Sequence, residues 1–170
     1  VASASGRRQV RQARHRVGVG SGWVMSASGR RRVGVVERIA PDGAVLRPLD
    51  EASVVQAVEQ VMAEGATSLA VALLFSFVNP AHERRVREII AERWPAMPVS
   101  LSSDIDPVFR EYERTVTAVV AGYVQPRVAH YLSAFQDALK SAGVPAEPML
   151  TKSNGGVMTA ELGKTECAQM

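Results

Sequence analysis

The sequence predicts an α/β protein in which helices flank a mostly parallel sheet. Apolar runs typical of strands alternate along the chain with segments whose apolar residues recur at three- and four-residue steps, as in helices. The run at residues 68–77, "SLAVALLFSF", is apolar on both alternating faces, as expected of a central strand covered on two sides. With 170 residues, 46% of them hydrophobic, the chain can bury one substantial core.

The first 32 residues differ in composition from the rest. Residues 1–36 contain eight arginines and no acidic residue. A basic arm of this kind can bind nucleic acid. This one has neither interleaved aromatic residues nor helical periodicity, so we expect no nucleic-acid binding and predict a disordered or non-native leader over residues 1–32. The predicted domain therefore covers residues 33–170.

A hairpin and a helix are the first elements expected in that domain. In "VGVVERIAPDGAVLRPL", two β-prone arms flank Pro41-Asp42-Gly43, which favours a turn. Asp50 then provides an N-cap, and valines on one helical face follow it. Gly65 is a typical residue for the end of this helix.

Two further helices are predicted from a repeated start signal. Asn79-Pro80 and Asp106-Pro107 each place a capping side chain before a proline at the first helical position. The first of these helices should stop before Pro95, and a strand is predicted at residues 98–103. The second is long, and Pro126 should break or kink it because proline has no backbone donor.

The last predicted element is a short strand over "EPMLTKS", which leads into Ser153, Asn154, Gly155 and Gly156. Asn-Gly indicates a hairpin when two strands flank it. Here "AELGK" follows closely, so a strand–loop–helix passage is the favoured interpretation. Such a loop lets the backbone approach a ligand, and its N–H groups can form an anion cradle.

Other kinds of site find little support in the residue spacing. "HERRV" begins like a zinc-protease helix, but Val86 stands where the second histidine must be, so we expect a solvated His82 and no metal site. The sequence contains neither of the common glycine-rich phosphate loops. The single cysteine, Cys167, rules out an internal disulfide and suits the cytoplasm. No apolar run reaches the roughly 20 residues that span a bilayer, so no membrane partner is expected.

The charged stretch "REYERTVT" is the other candidate. Glu111 and Arg114 are three residues apart on the predicted long helix, so they can pair locally on a solvated face. Alternatively, both face a cleft at the carboxyl ends of the strands, where open α/β sheets bind ligands. The spacing leaves both interpretations open.

Four segments, taken in order, closely resemble the hydantoinase/oxoprolinase family, and in particular its A-type, ATP-binding subunit. They are "VVERIAPDGAVLRPLDE", "SLAVALLFSFVNPAHERRVREII", "VSLSSDIDPVFREYERTVTAVVAGYVQP" and "LTKSNGGVMTAE". The resemblance covers about residues 33–170. It implies part of an actin-like, ribonuclease-H-like ATPase fold and the ATP-dependent opening of a small cyclic amide such as hydantoin, N-methylhydantoin or oxoproline. The family also has relatives among the ATP-dependent ketone carboxylases.

The resemblance also implies cofactors, partners and site residues. ATP and Mg²⁺ serve the full-length family, and a B-type subunit is the usual partner. Ser153, Asn154, Gly155, Gly156, Glu111 and Arg114 match family motifs and are the candidates to line a ligand cleft. No catalytic residue is assigned.

This sequence departs from the family pattern at three points. It has no D-x-G-G-T-type loop and no S-G-x-A-x-G-type loop, so we expect a partial chain that does not bind ATP tightly and is not competent alone. It also reads Ala121-Gly122-Tyr123 where the family has Asn-Ala-Tyr, which puts the role of that amide in doubt. The alternatives are a non-enzymatic module that docks a B-type subunit or itself, or a piece of a ketone carboxylase subunit.

Overall fold

The computed structural model describes residues 22–27, 31–165 and 167, which form eight strands and five helices. The strands are β1 (Gly22–Ser26), β2 (Arg32–Val35), β3 (Arg38–Ile39), β4 (Val45–Arg47), β5 (Leu69–Leu73), β6 (Val99–Leu101), β7 (Met149–Thr151) and β8 (Val157–Thr159). The helices are α1 (Glu51–Ala63), α2 (Ala81–Arg93), α3 (Ser102–Ile105), α4 (Glu111–Ser141) and α5 (Ala160–Thr165).

The main sheet is mixed, with the strand order β2-β1-β5-β6. Strand β1 pairs antiparallel with both β2 and β5, and β5 and β6 are the parallel pair. The α/β class is confirmed, but the prediction of a mostly parallel sheet is wrong. The reason is β1, which lies in the segment predicted as leader and occupies a central position between β2 and β5.

The expectation that order begins near Val33 is therefore also wrong. Val24 and Met25 of β1 are 0% and 2% exposed, so these residues belong to the core. Arginines dominate the surrounding composition, and they concealed a five-residue apolar strand. Residues 1–21 and 28–30 of the predicted leader lie outside the described residues.

The two faces of the sheet carry different side chains. Leu69, Val71 and Leu73 of β5 pack in a cluster with apolar residues of α1 and α2. The alternate residues, Ala70 and Ala72, belong to a second cluster with a residue of α4. Successive side chains of a strand point to opposite faces, so the large residues face one helical layer and the alanines face the other. The alanines leave room for α4 to approach the sheet closely.

Gly122 of α4 marks this close approach. A Cβ atom placed there would lie 3.1 Å from the Cβ of Ala27 and 3.3 Å from Oγ of Ser100. This glycine, which belongs to the departure from the family's Asn-Ala-Tyr pattern, thus lies where the helix backbone meets the sheet.

Replacing Gly122 by Val should lower the free energy of unfolding by about 1–3 kcal/mol, because overpacking a filled core forces neighbouring groups apart. Urea unfolding of the purified chain would measure the change. Ala134→Val on the exposed side of the same helix is the matched control and should stay within about 0.5 kcal/mol. Equal effects at the two positions would contradict the packing argument.

The local signals before residue 70 were informative. Strands β3 and β4 form the predicted hairpin around residues 41–43. Asp50 caps α1, its Oδ1 accepting hydrogen bonds from the N–H groups of Ala52 at 3.0 Å and Ser53 at 3.3 Å. Gly65 follows the helix with φ of 84°.

Other elements begin or end at residues that differ from the predicted ones, because tertiary contacts determine these boundaries. The strand predicted over residues 68–77 ends at Leu73, and residues 74–78 form a turn. The proline of the Asn79-Pro80 pair precedes α2, and Oδ1 of Asn79 accepts from Ala81 N at 3.1 Å. The Asp106-Pro107 pair does not start a helix, since α3 ends there and α4 begins at Glu111.

Helix α4 runs through Pro126 without interruption, so the predicted break is wrong. Ala121 on one side of the proline and Leu132 on the other are both buried. Packing on both sides of the proline holds one continuous helix, although proline removes a hydrogen bond. None of the described helices has the length and apolar character needed to cross a membrane.

Candidate functional site

The carboxyl ends of β5 and β6 are tied together by the carboxylate of Glu83. This side chain is 0% exposed, although it lies in the first turn of α2. Its Oε1 accepts from Leu73 N at 2.8 Å and from Ser102 Oγ at 2.6 Å, and its Oε2 accepts from Ser103 N at 2.9 Å. One carboxylate therefore connects α2, the last residue of β5 and the first turn after β6.

The guanidinium of Arg114 completes this buried network. Nη2 donates to the carbonyl of Leu73 at 2.7 Å, Nε donates to Ser102 Oγ at 3.1 Å, and Nη1 donates to the carbonyl of Val108 at 3.0 Å. The guanidinium also lies over the ring of Phe77, 5.3 Å from its centroid. The planar fork of arginine can satisfy three acceptors held in different directions, which a point charge cannot do.

Burial and neighbouring charges shift the pKa of Arg114 in opposite directions. Burial lowers the pKa of Arg114, and the negative charges of Glu83, Glu111 and Asp106 counteract that shift. The arginine stays charged at any pH the protein meets, since a guanidinium does not deprotonate in proteins. Glu83 is thus the buried counter-charge that makes the burial of Arg114 tolerable.

The turn between β5 and α2 is strained at the same edge of the sheet. Phe75 has φ of 57°, a left-handed conformation that is uncommon for a residue with a side chain. Its ring contacts that of Phe77, with the centroids 6.3 Å apart. Ser103, whose N–H donates to Glu83, has a buried Oγ that has no hydrogen-bond partner within the described part of the chain. Strain and an orphan hydroxyl at a carboxyl edge are typical of a place where a ligand or another part of the protein arrives.

The structure separates the two predicted cleft residues of the charged stretch. Arg114 is 0% exposed and hydrogen-bonded inside the protein, whereas Glu111 is exposed at the first position of α4. The interpretation in which Arg114 pairs locally on a solvated face is therefore wrong. Because Nε, Nη1 and Nη2 of Arg114 each donate to a protein acceptor, this side chain can position the surrounding turns.

Ser153, Asn154, Gly155 and Gly156 form the turn of an exposed hairpin. Lys152 N donates to the Gly156 carbonyl at 2.7 Å, and Gly155 N donates to the Lys152 carbonyl at 3.0 Å. Asn154 Oδ1 accepts from Gly156 N at 3.0 Å, and Gly155 has φ of 84°. The favoured strand–loop–helix passage is thus corrected to a hairpin of β7 and β8, because Asn-Gly here does lie between two strands.

This geometry bears on phosphate binding. A cradle for an anion needs N–H groups that point outward and are unpaired. In the hairpin the N–H groups of Gly155 and Gly156 both donate to acceptors of the turn itself. The turn as described therefore does not offer the phosphate cradle of a nucleotide site.

Arg114 and the start of α5, which follows the hairpin, lie at distant parts of α4. Lys164, Gln136 and Lys140 all act on the carboxylate of Glu161, which places the start of α5 beside the carboxyl-terminal turns of α4. Arg114 lies 22 residues before Gln136, which is about 33 Å along a helix at 1.5 Å per residue. Glu111 and Arg114 thus lie at the amino-terminal end of α4, whereas α5, which follows the hairpin, begins beside its carboxyl-terminal turns.

His82 and Glu37 form a second pair of buried polar side chains. His82 is 9% exposed, and its Nδ1 lies 2.9 Å from Oε2 of Glu37, which is 1% exposed. The prediction of a solvated His82 is therefore wrong, because the chain before the hairpin folds over the start of α2. In the described ranges, no group of three or more histidine, cysteine, aspartate or glutamate side chains could hold a metal ion.

Sequence reasoning missed Glu83, Ser102 and the burial of Arg114. Glu83 lies in "HERRV", which was interpreted only as an incomplete zinc-ligand pattern. A glutamate in the first turn of a helix is usually a solvated residue that favours the helix dipole. No spacing rule connects it to a serine 19 residues later, so the partners become visible only in three dimensions.

Comparisons with known proteins cover almost the whole chain. The family profile described as "Hydantoinase/oxoprolinase N-terminal region" matches residues 8–94, and the one described as "Hydantoinase/oxoprolinase" matches residues 114–170. The first match begins well before residue 33, so the similarity extends into the segment predicted as an unrelated leader.

Three relatives illustrate the similarity. The acetophenone carboxylase gamma subunit of Aromatoleum aromaticum is 39% identical over 142 residues, which is 81% of this chain and 19% of that protein. The caprolactamase subunit alpha of Pseudomonas jessenii is 30% identical over 128 residues, 75% of this chain and 18% of that protein. A nucleotide-free structure of acetone carboxylase, determined for ATP-dependent acetone carboxylation, matches with a TM-score of 0.68 and 32% identity over 79% of this chain and 20% of that chain.

The caprolactamase comparison holds in three dimensions as well. The crystal structure of the ATP-dependent caprolactamase from Pseudomonas jessenii matches with a TM-score of 0.69 and 29% identity over 73% of this chain and 18% of that chain. This chain thus spans about a fifth of the length of the relatives it matches.

Proposed function

The chain belongs to the hydantoinase/oxoprolinase family, and on that basis we propose that it is one structural part of an ATP-dependent subunit that opens a small cyclic amide. The observation that carries the proposal is the combination of a family match along the chain with coverage of only about a fifth of each relative. The part it supplies is the sheet edge held by Glu83 and Arg114. Cyclic amides such as hydantoin, N-methylhydantoin or oxoproline are the proposed substrate class of the complete enzyme.

ATP and Mg²⁺ belong, in this proposal, to the complete enzyme and not to this chain. The hairpin turn at residues 153–156 uses its glycine N–H groups internally, and Arg114 is enclosed by protein acceptors. The glycine N–H groups of this turn and the guanidinium of Arg114 are therefore not the proposed ligands of the triphosphate. Their proposed role is to position the carboxyl edge of the sheet within a larger, actin-like fold, and Ser153, Asn154 and Glu111 remain predicted cleft residues.

Partner subunits follow from the same proposal. The relatives are named as gamma and alpha subunits, which supports a complex with at least one further polypeptide, and a B-type subunit is the proposed partner. The proposed location is the cytoplasm.

A ketone carboxylase is the second candidate function. The acetophenone carboxylase gamma subunit shares 39% identity with this chain, against 30% for the caprolactamase subunit alpha. Both relatives are matched over a similar length, so the higher identity favours carboxylation of a ketone as the alternative reaction of the complete enzyme.

The isolated chain should neither hydrolyse ATP nor gain stability from it. We expect less than about 1 °C change in Tm with millimolar ATP and Mg²⁺, since a ligand stabilises a protein only by binding its folded state. Differential scanning fluorimetry and a phosphate-release assay with hydantoin and with oxoproline would test this, with magnesium alone as the control. Turnover of ATP by the chain without another polypeptide would show that the part is a complete enzyme.

A further inference from the structure

Exposed apolar side chains recur along the solvent side of α4. They are large side chains that remain between 38% and 77% exposed, and we call them the α4 stripe: Tyr112, Val116, Val120, Tyr123, Tyr131 and Phe135. The rings of Tyr131 and Phe135 are stacked, with centroids 6.3 Å apart and planes 4° from parallel. The stripe is therefore an ordered surface in which neighbouring side chains already pack on one another.

The stripe lies opposite the face that packs on the sheet. At 3.6 residues per turn its members fall within an arc of about 140°, and the buried residues of the helix are centred roughly 160° away. Those buried residues are Arg114, Ala118, Ala121, Gly122 and Leu132. A helix that is apolar on both sides is typical of the interior of a larger protein.

The exposed area is large enough to matter. Tyr112, Tyr123 and Tyr131 are 77%, 51% and 66% exposed, which leaves on the order of 300–500 Å² if each aromatic side chain can bury about 150–250 Å². The two valines and Phe135 add to this. A stable interface buries about 800 Å² per partner, so the stripe can supply half or more of one.

The composition of the stripe is that of an interface. Tyrosine and arginine are enriched at the centres of protein interfaces, and here the guanidinium of Arg127 lies over the ring of Tyr123, 5.5 Å from its centroid. The cation of Arg127 within this surface favours a partner that is apolar and carries an acidic group at the matching position.

We propose that the α4 stripe docks the portion of a hydantoinase/oxoprolinase-family polypeptide that has no counterpart in this chain. The relatives are about four times as long, and the second family profile begins at Arg114, within α4. A helix with apolar residues on two opposite faces is typical of the interior of such a larger protein. The inference rests on the proposed function, because it requires that the larger family protein be the working assembly.

The test uses two proteins. First, the caprolactamase subunit alpha lacking the segment that matches this chain is titrated with the full chain, and the dissociation constant is measured by sedimentation or fluorescence anisotropy without nucleotide. Val120→Asp should weaken binding at least tenfold. Leu46→Asp, at a side chain of β4 that is 66% exposed, is the matched control and should leave binding unchanged.

The second protein is the intact caprolactamase subunit alpha with aspartate at the position aligned with Val120. Its Tm should fall by several degrees if that position is covered, and this arm decides alone if the shortened subunit does not fold. Absence of binding together with an unchanged Tm would overturn the proposal. So would light scattering that shows a dimer of this chain dissociated by Val120→Asp, since the occupant would then be a second copy. Binding that depends on the stripe but restores no ATP turnover would count against the proposed function alone.

Discussion

Glu83→Gln should lower the free energy of unfolding by about 3–5 kcal/mol, the largest effect expected of any single substitution in this chain. Removing one of two opposite buried charges costs about this much because the remaining charge is left uncompensated. The remaining charge is Arg114, which is 0% exposed and has no access to water. The substitution keeps the size of the side chain, so the effect isolates the charge from a change of volume.

Hydrogen bonding adds to the effect of the lost charge. The carboxylate of Glu83 accepts from Leu73 N, Ser102 Oγ and Ser103 N, and it donates to none of them. Glutamine replaces one oxygen by an NH₂ group, which must then face at least one of these donors. A buried donor left without an acceptor costs about 1–3 kcal/mol, so the network cannot absorb the change by a simple rotation.

Urea unfolding at neutral pH with a constant m-value is the measurement. Glu88→Gln is the matched control, because Glu88 lies on the same helix, pairs with Arg85 and has a side chain that is 60% exposed. Exposed ion pairs contribute about 0–1 kcal/mol, so the control should change little. A Glu83→Gln variant within 1 kcal/mol of the parent would mean that the buried charges do not depend on each other.

The sequence predicted the elements that local signals determine. The cap at Asp50, the hairpin around residues 41–43 and the termination at Gly65 each depend on residues within a few positions of one another, and all three are confirmed. The strand after residue 68 was found as well, because five consecutive buried residues are hard to miss in a pattern. The family resemblance rested on such segments and was confirmed by the profile matches.

What failed depended on long-range contacts. Strand β1 is stabilised by antiparallel pairing with β5. Gly22 pairs with Leu73, 51 residues later, and Trp23 pairs with Ala72, 49 residues later. Neither the composition of the residues around β1 nor the length of the strand predicts that pairing. The same holds for the buried network, since Leu73 and Arg114 are 41 residues apart and meet only after the sheet and α4 have packed. Sequence patterns predict elements, while the chemistry of this edge is set by tertiary structure.

The hydrogen bonds of Leu73 to side chains explain why β5 ends at this residue. Leu73 donates its N–H to Glu83 and gives its carbonyl to Arg114, so side chains replace a neighbouring strand as partners of this peptide. The chain is then free to turn, and Phe75 takes the left-handed conformation that begins the passage to α2. Such a conformation is retained only where surrounding contacts determine it. The buried carboxylate of Glu83 and guanidinium of Arg114 therefore fix the shape of the edge as well as its stability.

Arg114→Lys should destabilise the chain by about 2–4 kcal/mol, although it keeps the positive charge. Lysine carries its charge at one atom, so it cannot reach Leu73 O, Ser102 Oγ and Val108 O in their three directions. Arg110→Lys is the control, since the guanidinium of Arg110 is on an exposed side chain over Phe109. Equal, small effects at the two arginines would indicate that charge alone, and not the fork of hydrogen bonds, holds the edge.

The pair Glu83 and Arg114 should be strongly coupled, which a double-mutant cycle measures. Arg114→Met alone removes the cation and leaves Glu83 buried, whereas Glu83→Gln with Arg114→Met removes both charges. The double variant should be less destabilised than the sum of the two single variants, by about 1–3 kcal/mol, because groups that share one network are not additive. Strict additivity would mean that Glu83 is compensated by its three donors without Arg114. The arginine would then be a packing element of α4, and the positioning role proposed for the sheet edge would rest on the carboxylate alone.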